Sequence, residues 1–312
     1  MSLPRLRPGA YRRVTLLAAL ALAFIVVTGA AVRLTGSGLG CSDWPACEPG
    51  RLTPTSATDG HAMVEFANRA ITGLVSLAVV LAVLGSFVRQ PRRRDLVWLS
   101  LGLVAGVVGQ IVLGGLTVLF ELSPPLVMGH FLLSMLILWD AVVLHWRAGR
   151  PEGPTVPVVG PTAVRLGRLL VASAAVVVFT GTVVTAAGPH AGDARARRLD
   201  VFLPDAARVH GLSVVLLLCL TLAVVWVLRR DRAPAPVQRS ARVLVGVIVA
   251  QAAIGYTQYF TGVPVLLVGA HILGAVAVWT AVIRLSLSFS AARTPATVPG
   301  PATAPEGALA PT

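Results

Sequence analysis

The sequence predicts an all-α integral membrane protein of about eight transmembrane helices, arranged as two pseudo-symmetric four-helix bundles. Three observations lead there: the apolar composition, the placement of arginine, and a repeat shared by the two halves of the chain. Of 312 residues, 55% are hydrophobic and only 12% charged, and the mean hydropathy is +0.80. Soluble domains carry about 25% charged residues. Apolar runs recur along the chain at the length a bilayer demands, roughly 20 residues each. Backbone groups in hydrocarbon must be paired within the segment. The runs are therefore read as helices at about 14–34, 62–88, 96–119, 125–146, 167–187, 205–228, 242–261 and 264–284.

The first run, from about Val14 to Val32, follows arginines and superficially resembles a signal peptide. It exceeds the roughly 7–15 apolar residues of a signal sequence and is read as a retained helix. The net charge of +13 comes from arginine alone, clustered between alternate apolar runs: Arg5, Arg7, Arg12 and Arg13, then Arg89, Arg92, Arg93 and Arg94. Arg147, Arg150, Arg165 and Arg168 follow, then Arg229, Arg230, Arg232, Arg239 and Arg242. Short cytoplasmic loops retain positive charge, so both termini are expected in the cytoplasm. Aromatic residues do not interleave with these clusters as a base-stacking surface requires, so lipid rather than nucleic acid is the expected partner. The Pro- and Ala-rich end, 291–312, cannot bury a core and is expected to be a disordered cytoplasmic tail.

The repeat divides the chain into halves at 1–150 and 160–290. Gln110, Gly114 and His130 in the third and fourth runs match Gln251, Gly255 and His271 in the seventh and eighth at one offset. Thr28-Gly29 resembles Thr180-Gly181, and Asn68 falls close to the place of His210. Long outer loops, 35–61 and 188–204, follow the first and fifth runs.

His130, His210 and His271 all fall near the outer ends of their helices. A lone histidine in a span is commonly an interhelical hydrogen-bonder, yet ionisable groups there are costly and mark function. Two imidazoles facing each other across a bundle can supply both axial ligands of a haem, which points to His210 and His271. Zinc lacks a third or fourth ligand of suitable type. In the first half the matching pair is Asn68 and His130. That half either holds its iron through His130 alone, with one axial position open, or is a degenerate repeat that binds nothing.

Glu65 lies one turn before Asn68, on the same face of the second helix. It is read either as an interfacial partner of Arg69 or as a carboxylate beside a substrate, able to move protons or stabilise positive charge. His61, four residues earlier, either joins that face or sits in the loop, which is the expectation. Cys41 and Cys47 lie in the first outer loop, where an oxidising compartment favours disulfides. Thiol exchange and simple stapling are both open. Arg33, Arg69 and Arg208 sit outside against the usual bias. Arg33 and Arg208 are candidates for contacts to haem propionates, with interfacial snorkelling as the competing reading. Cys219 is expected to be buried, and Asp140 to be interfacial or paired with Arg147.

Taken together, Thr35-Gly36-Ser37-Gly38-Leu39-Gly40-Cys41 with Trp44-Pro45 and Cys47, Glu65-Phe66-Ala67-Asn68-Arg69, and the late histidines resemble the haem A synthase family over roughly 14–284. The resemblance implies oxidation of the methyl group of haem O to a formyl group with water-derived oxygen. It implies haem b in the second half on His210 and His271, and a substrate site in the first half around Glu65, His130, Asn68 and Arg69. It also implies a Cys41–Cys47 disulfide, the cell membrane as location, a haem O synthase as substrate donor and an electron acceptor of unidentified kind. Homo-oligomerisation is left open. One departure matters: many members have histidine where this chain has Asn68, so bis-histidine ligation of haem O does not carry over. The competing readings are a b-type cytochrome that only relays electrons, and a transporter. The second would carry parallel rather than inverted repeats and has no paired broken helices.

Overall fold

A computed structural model describes residues 5–56 and 58–292. Among the described residues eight helices are long and apolar enough to cross a membrane: α1 (Pro8–Leu34), α2 (Gly60–Val88), α3 (Arg94–Leu119), α4 (Pro124–Ala148), α5 (Pro161–Ala187), α6 (Leu203–Arg230), α7 (Ala235–Phe260) and α8 (Val265–Ser288). The all-helical membrane class follows from them. Hydropathy placed the starts of α1, α5 and α7 several residues too late. These helices begin on the arginine-bearing side, where prolines at the first turn favour helical entry and the headgroup region tolerates charge. At the start of α2 the Asp59 carboxylate accepts from the backbone N–H groups of His61 and Ala62, both at 3.1 Å.

In the first half α1 packs on α2 and α4, and α3 on α2 and α4; in the second, α5 packs on α6 and α8, and α7 on α6 and α8. The halves share apolar core rather than standing apart. α8 packs against α1 and α4, and one continuous cluster joins Val26, Met135 and Leu138 to Leu170, Leu217, Val224, Leu244 and Val282. Within it the Trp279 indole N–H donates across the halves to the Met135 carbonyl at 2.9 Å. The opposite faces carry large exposed apolar side chains such as Trp98, Leu212, Phe260 and Leu266. Such a surface suits a lipid environment.

A short antiparallel pair, β1 (Thr155–Pro157) and β2 (Ser290–Ala292), closes the arginine-bearing end. Ala291 and Ala292, expected to begin a disordered tail, thus pair in a strand; 293–312 lie outside the described residues. At the opposite end the loops are tied together. Gly38 N–H donates to the Gly192 carbonyl at 2.8 Å, and His190 Nε2 lies 3.0 Å from the Val263 carbonyl oxygen. The Arg33 guanidinium brackets the end of α5, Nε donating to the His190 carbonyl at 2.7 Å and Nη2 to the Thr185 carbonyl at 2.9 Å.

Hydrogen bonds to a charged group each stabilise by roughly 1.5–3 kcal/mol. Arg33→Met is accordingly expected to destabilise the detergent-solubilised protein by about 2 kcal/mol in a denaturation titration. An unchanged midpoint would show that the bracket carries no stability.

Candidate functional site

His130, His210 and His271 occupy gaps that glycine opens in a neighbouring helix. A Cβ built on Gly181 of α5 would stand 3.2 Å from His210 Cε1, and one on Gly255 of α7 would stand 3.0 Å from His271 Cε1. Gly114 of α3 plays the same part for His130, at 3.2 Å. Each gap lets an imidazole lie close to a backbone, so alanine would crowd the ring.

Polar side chains then fix two of these helices. Gln251 Nε2 donates to the His271 carbonyl at 2.9 Å, and Gln110 Nε2 to the His130 carbonyl at 3.0 Å and to Ser134 Oγ at 2.6 Å. The Thr180 hydroxyl lies 3.0 Å from His210 Nδ1 and within donating distance of the Val176 carbonyl. Donating to that carbonyl, it accepts from Nδ1–H, which leaves the lone pair on Nε2. The Nδ1 atoms of His130 and His271 are buried without a hydrogen-bonding partner. His210 and His271, each set in a glycine-lined gap, are the residues that would hold a haem axially. Among the described residues no group of three or more His, Cys, Asp or Glu gathers as a structural zinc site would need.

The first half repeats the frame with one replacement. Thr28 Oγ1 donates to Asn68 Oδ1 at 2.8 Å, in the place of the Thr180–His210 contact. Asn68 is shorter: a Cβ on Gly29 would meet nothing within 4 Å, whereas its counterpart Gly181 lies against His210.

Over this half lies the cysteine loop. Cys41 and Cys47 are disulfide-bonded and wholly buried. Glu65, 5% exposed, has both oxygens engaged. Oε2 accepts from the Cys41 backbone N–H at 2.8 Å, and Oε1 from Arg69 Nη2 and Nε at 2.6 and 3.1 Å. Arg69 in turn donates to the Ala46 carbonyl at 2.8 Å and to the Asp43 carbonyl at 3.1 Å. One ion pair therefore grips both arms of the loop. Trp44 packs on α3, where a Cβ at Gly115 would fall 2.6 Å from its ring, directly beside the glycine that accommodates His130. Further out, Glu48 accepts from the hydroxyl and N–H of Thr55, which hold its carboxyl below the ordinary range.

Several placements differ from expectation. His61 belongs to the first turn of α2 rather than the loop, with Nδ1 3.0 Å from Ser37 Oγ. Arg33 spends Nε and Nη2 on backbone carbonyls, and Arg208 is exposed and paired with Asp205 at 3.0 Å. Arg147 reaches Asp95 at 3.6 Å instead of Asp140, which lies against Gly102. Cys219 is exposed rather than buried, because a bilayer-facing surface accepts small apolar side chains as readily as the core does. The sequence reading marked the glutamines and threonines only as repeat positions. Their hydrogen bonds, the Trp44 seat and the loop grip emerged from the fold.

Against known proteins, the profile of the family described as cytochrome oxidase assembly protein (COX15-CtaA) matches residues 12–195, more than half of the chain. The chain is similar to a haem A synthase of Exiguobacterium sibiricum, 28% identical over 138 residues, covering 43% of this chain and 46% of the relative. It is similar to one of Shouchella clausii, 28% identical over 144 residues (46% and 47%), and one of Alkalihalophilus pseudofirmus, 30% identical over 121 residues (38% and 40%). The chain thus spans a little under half the length of each of these relatives. With the matched segment holding the cysteine loop, Glu65, Asn68 and His130, the chain belongs to the COX15-CtaA family of cytochrome oxidase assembly proteins.

Proposed function

We propose that this protein is a haem A synthase that oxidises the methyl group of haem O to a formyl group, taking the oxygen from water. The carrying observation is that the family match includes the loop, Glu65 and His130 as one continuous segment. Similarity to haem A synthases supports the same reading. Converting a methyl group and water into a formyl group releases four protons and four electrons. The first half is the substrate side: His130 holds the haem O iron, and Glu65, Asn68 and Arg69 line the approach. Glu65 is the buried carboxylate suited to take protons and to offset positive charge developing at the oxidised carbon. Arg69 and the Cys41 N–H keep it in place beneath the disulfide loop. His210 and His271 would hold haem b, which would supply one-electron redox chemistry. Thr180 orients His210 for that task, and Gln251 anchors the His271 backbone. Electrons leave to an acceptor of unidentified kind. A haem O synthase is the donor of substrate, and the protein sits in the cell membrane with both termini cytoplasmic and the loops outside.

A second reading draws on the engagement of both Glu65 oxygens: a b-type cytochrome in which Glu65 only latches the loop. Co-expression with a haem O synthase, followed by pigment extraction, separates the two. The enzyme yields haem A, and Glu65→Gln lowers its formation by about 10²-fold or more. Haem O left unchanged by a wild-type protein that retains haem b, with an electron acceptor supplied, would establish the cytochrome reading.

Arg69→Lys keeps the charge but loses the planar fork that reaches Glu65 and two carbonyls together. It is expected to open the 41–56 loop to limited proteolysis while leaving the haem b spectrum intact; a loop as resistant as wild type contradicts the grip. Thr180→Val removes the Nδ1 partner of His210 at nearly constant volume. Outer-shell losses of this kind weaken ligand retention by about 10–100-fold, which haem titration of the stripped protein would measure. Unchanged affinity would assign Thr180 to packing alone.

A further inference from the structure

The departure at Asn68 has a chemical consequence. At the corresponding place in the second half, Thr180 meets Nδ1 of His210, and a ring held by that nitrogen keeps the other free to ligate. In the first half the threonine is retained as Thr28, and its hydroxyl donates to Asn68 Oδ1 at 2.8 Å. A carboxamide held by its oxygen presents its Nδ2 amide, which has two N–H donors and no lone pair to give a metal. Asn68 is also too short to fill the place of an imidazole, as the free space beside Gly29 records. His130, by contrast, keeps the whole frame of a ligand: the gap at Gly114, the Gln110 bond to its carbonyl and an unpartnered buried Nδ1.

We infer that the first site holds haem through His130 alone, and that the axial position on the Asn68 side binds a small neutral ligand of the class of water, dioxygen or carbon monoxide. The Asn68 amide donates a hydrogen bond to that ligand, and Thr28 fixes the orientation of the amide. The pair is a polar seat rather than a metal ligand. This rests on the proposed binding of haem O in the first half. It differs from the bis-imidazole site of the second half, which offers no open position.

The test uses the full-length protein, co-expressed with a haem O synthase, purified in detergent and reduced with dithionite. Extracted pigments first give the content of haem O and haem b. Carbon monoxide is then the probe. It is expected to shift the Soret band of the haem O fraction and leave the haem b fraction unchanged. Asn68→His is expected to fill the sixth position and abolish the shift. His130→Ala is expected to lose haem O while keeping haem b. Asn68→Leu is expected to retain carbon monoxide binding but move the C–O stretch to higher frequency, because the donated hydrogen bond is gone.

Haem O retained by wild type with no carbon monoxide complex would overturn the open position and leave the substrate reading standing. A C–O stretch that does not move, or moves lower, in Asn68→Leu would overturn the donor role. Absence of both haem O and its product haem A from every preparation would overturn the inference together with the reading beneath it.

Discussion

A polar side chain inside an apolar span has no water to turn to, so its partners must come from the protein. This constraint organises the loop-bearing half of the molecule. Gln110 and Gln251 cross to the carbonyls of the histidines on the neighbouring helices, and Thr28 and Thr180 meet the polar groups opposite them. Glu65 and Arg69 satisfy one another and then reach the backbone of the first outer loop. The buried atoms left over are informative for the same reason. Nδ1 of His130 and of His271 remain unpartnered in the half-buried gaps between helices, where a bound group would change their surroundings most.

The ion pair also joins the loop to the site it covers. Cys41 and Cys47 close the loop covalently, but the disulfide alone would leave it free to swing. Arg69 holds the Asp43 and Ala46 carbonyls, Glu65 holds the Cys41 N–H, and Trp44 rests on Gly115. Gly114 and Gly115 thereby serve neighbouring functions, one making room for His130 and the other for the loop. On the proposed function, a carboxylate that latches the lid and also takes protons would couple loop position to chemistry.

Much of this was legible in the sequence, and the exceptions have physical causes. Eight apolar runs gave eight helices because hydropathy reads the hydrocarbon directly. It misjudged the starts of α1, α5 and α7 because a helix continues past the hydrocarbon into the headgroups, where arginine replaces leucine. The repeat exposed Gln110, Gly114 and His130 with their second-half counterparts, since their side chains carry the frame. Contacts to backbone left no such trace. The Cys41 N–H on Glu65 and the Thr185 and His190 carbonyls on Arg33 belong to groups every residue has, so no residue type announces them. Cys219 was misplaced because lipid and protein interior are equally apolar, which removes the cue that sorts inside from outside in water.

On the proposed function two haem sites share one frame, and Asn68 stands in the first where the second has His210. Low-temperature electron paramagnetic resonance of the oxidised, fully loaded protein tests that claim most directly. One low-spin signal from the His210–His271 site and one high-spin signal from the His130 site, in equal amounts, is the predicted spectrum. Two low-spin signals of bis-imidazole type, with Asn68 unchanged, would contradict it.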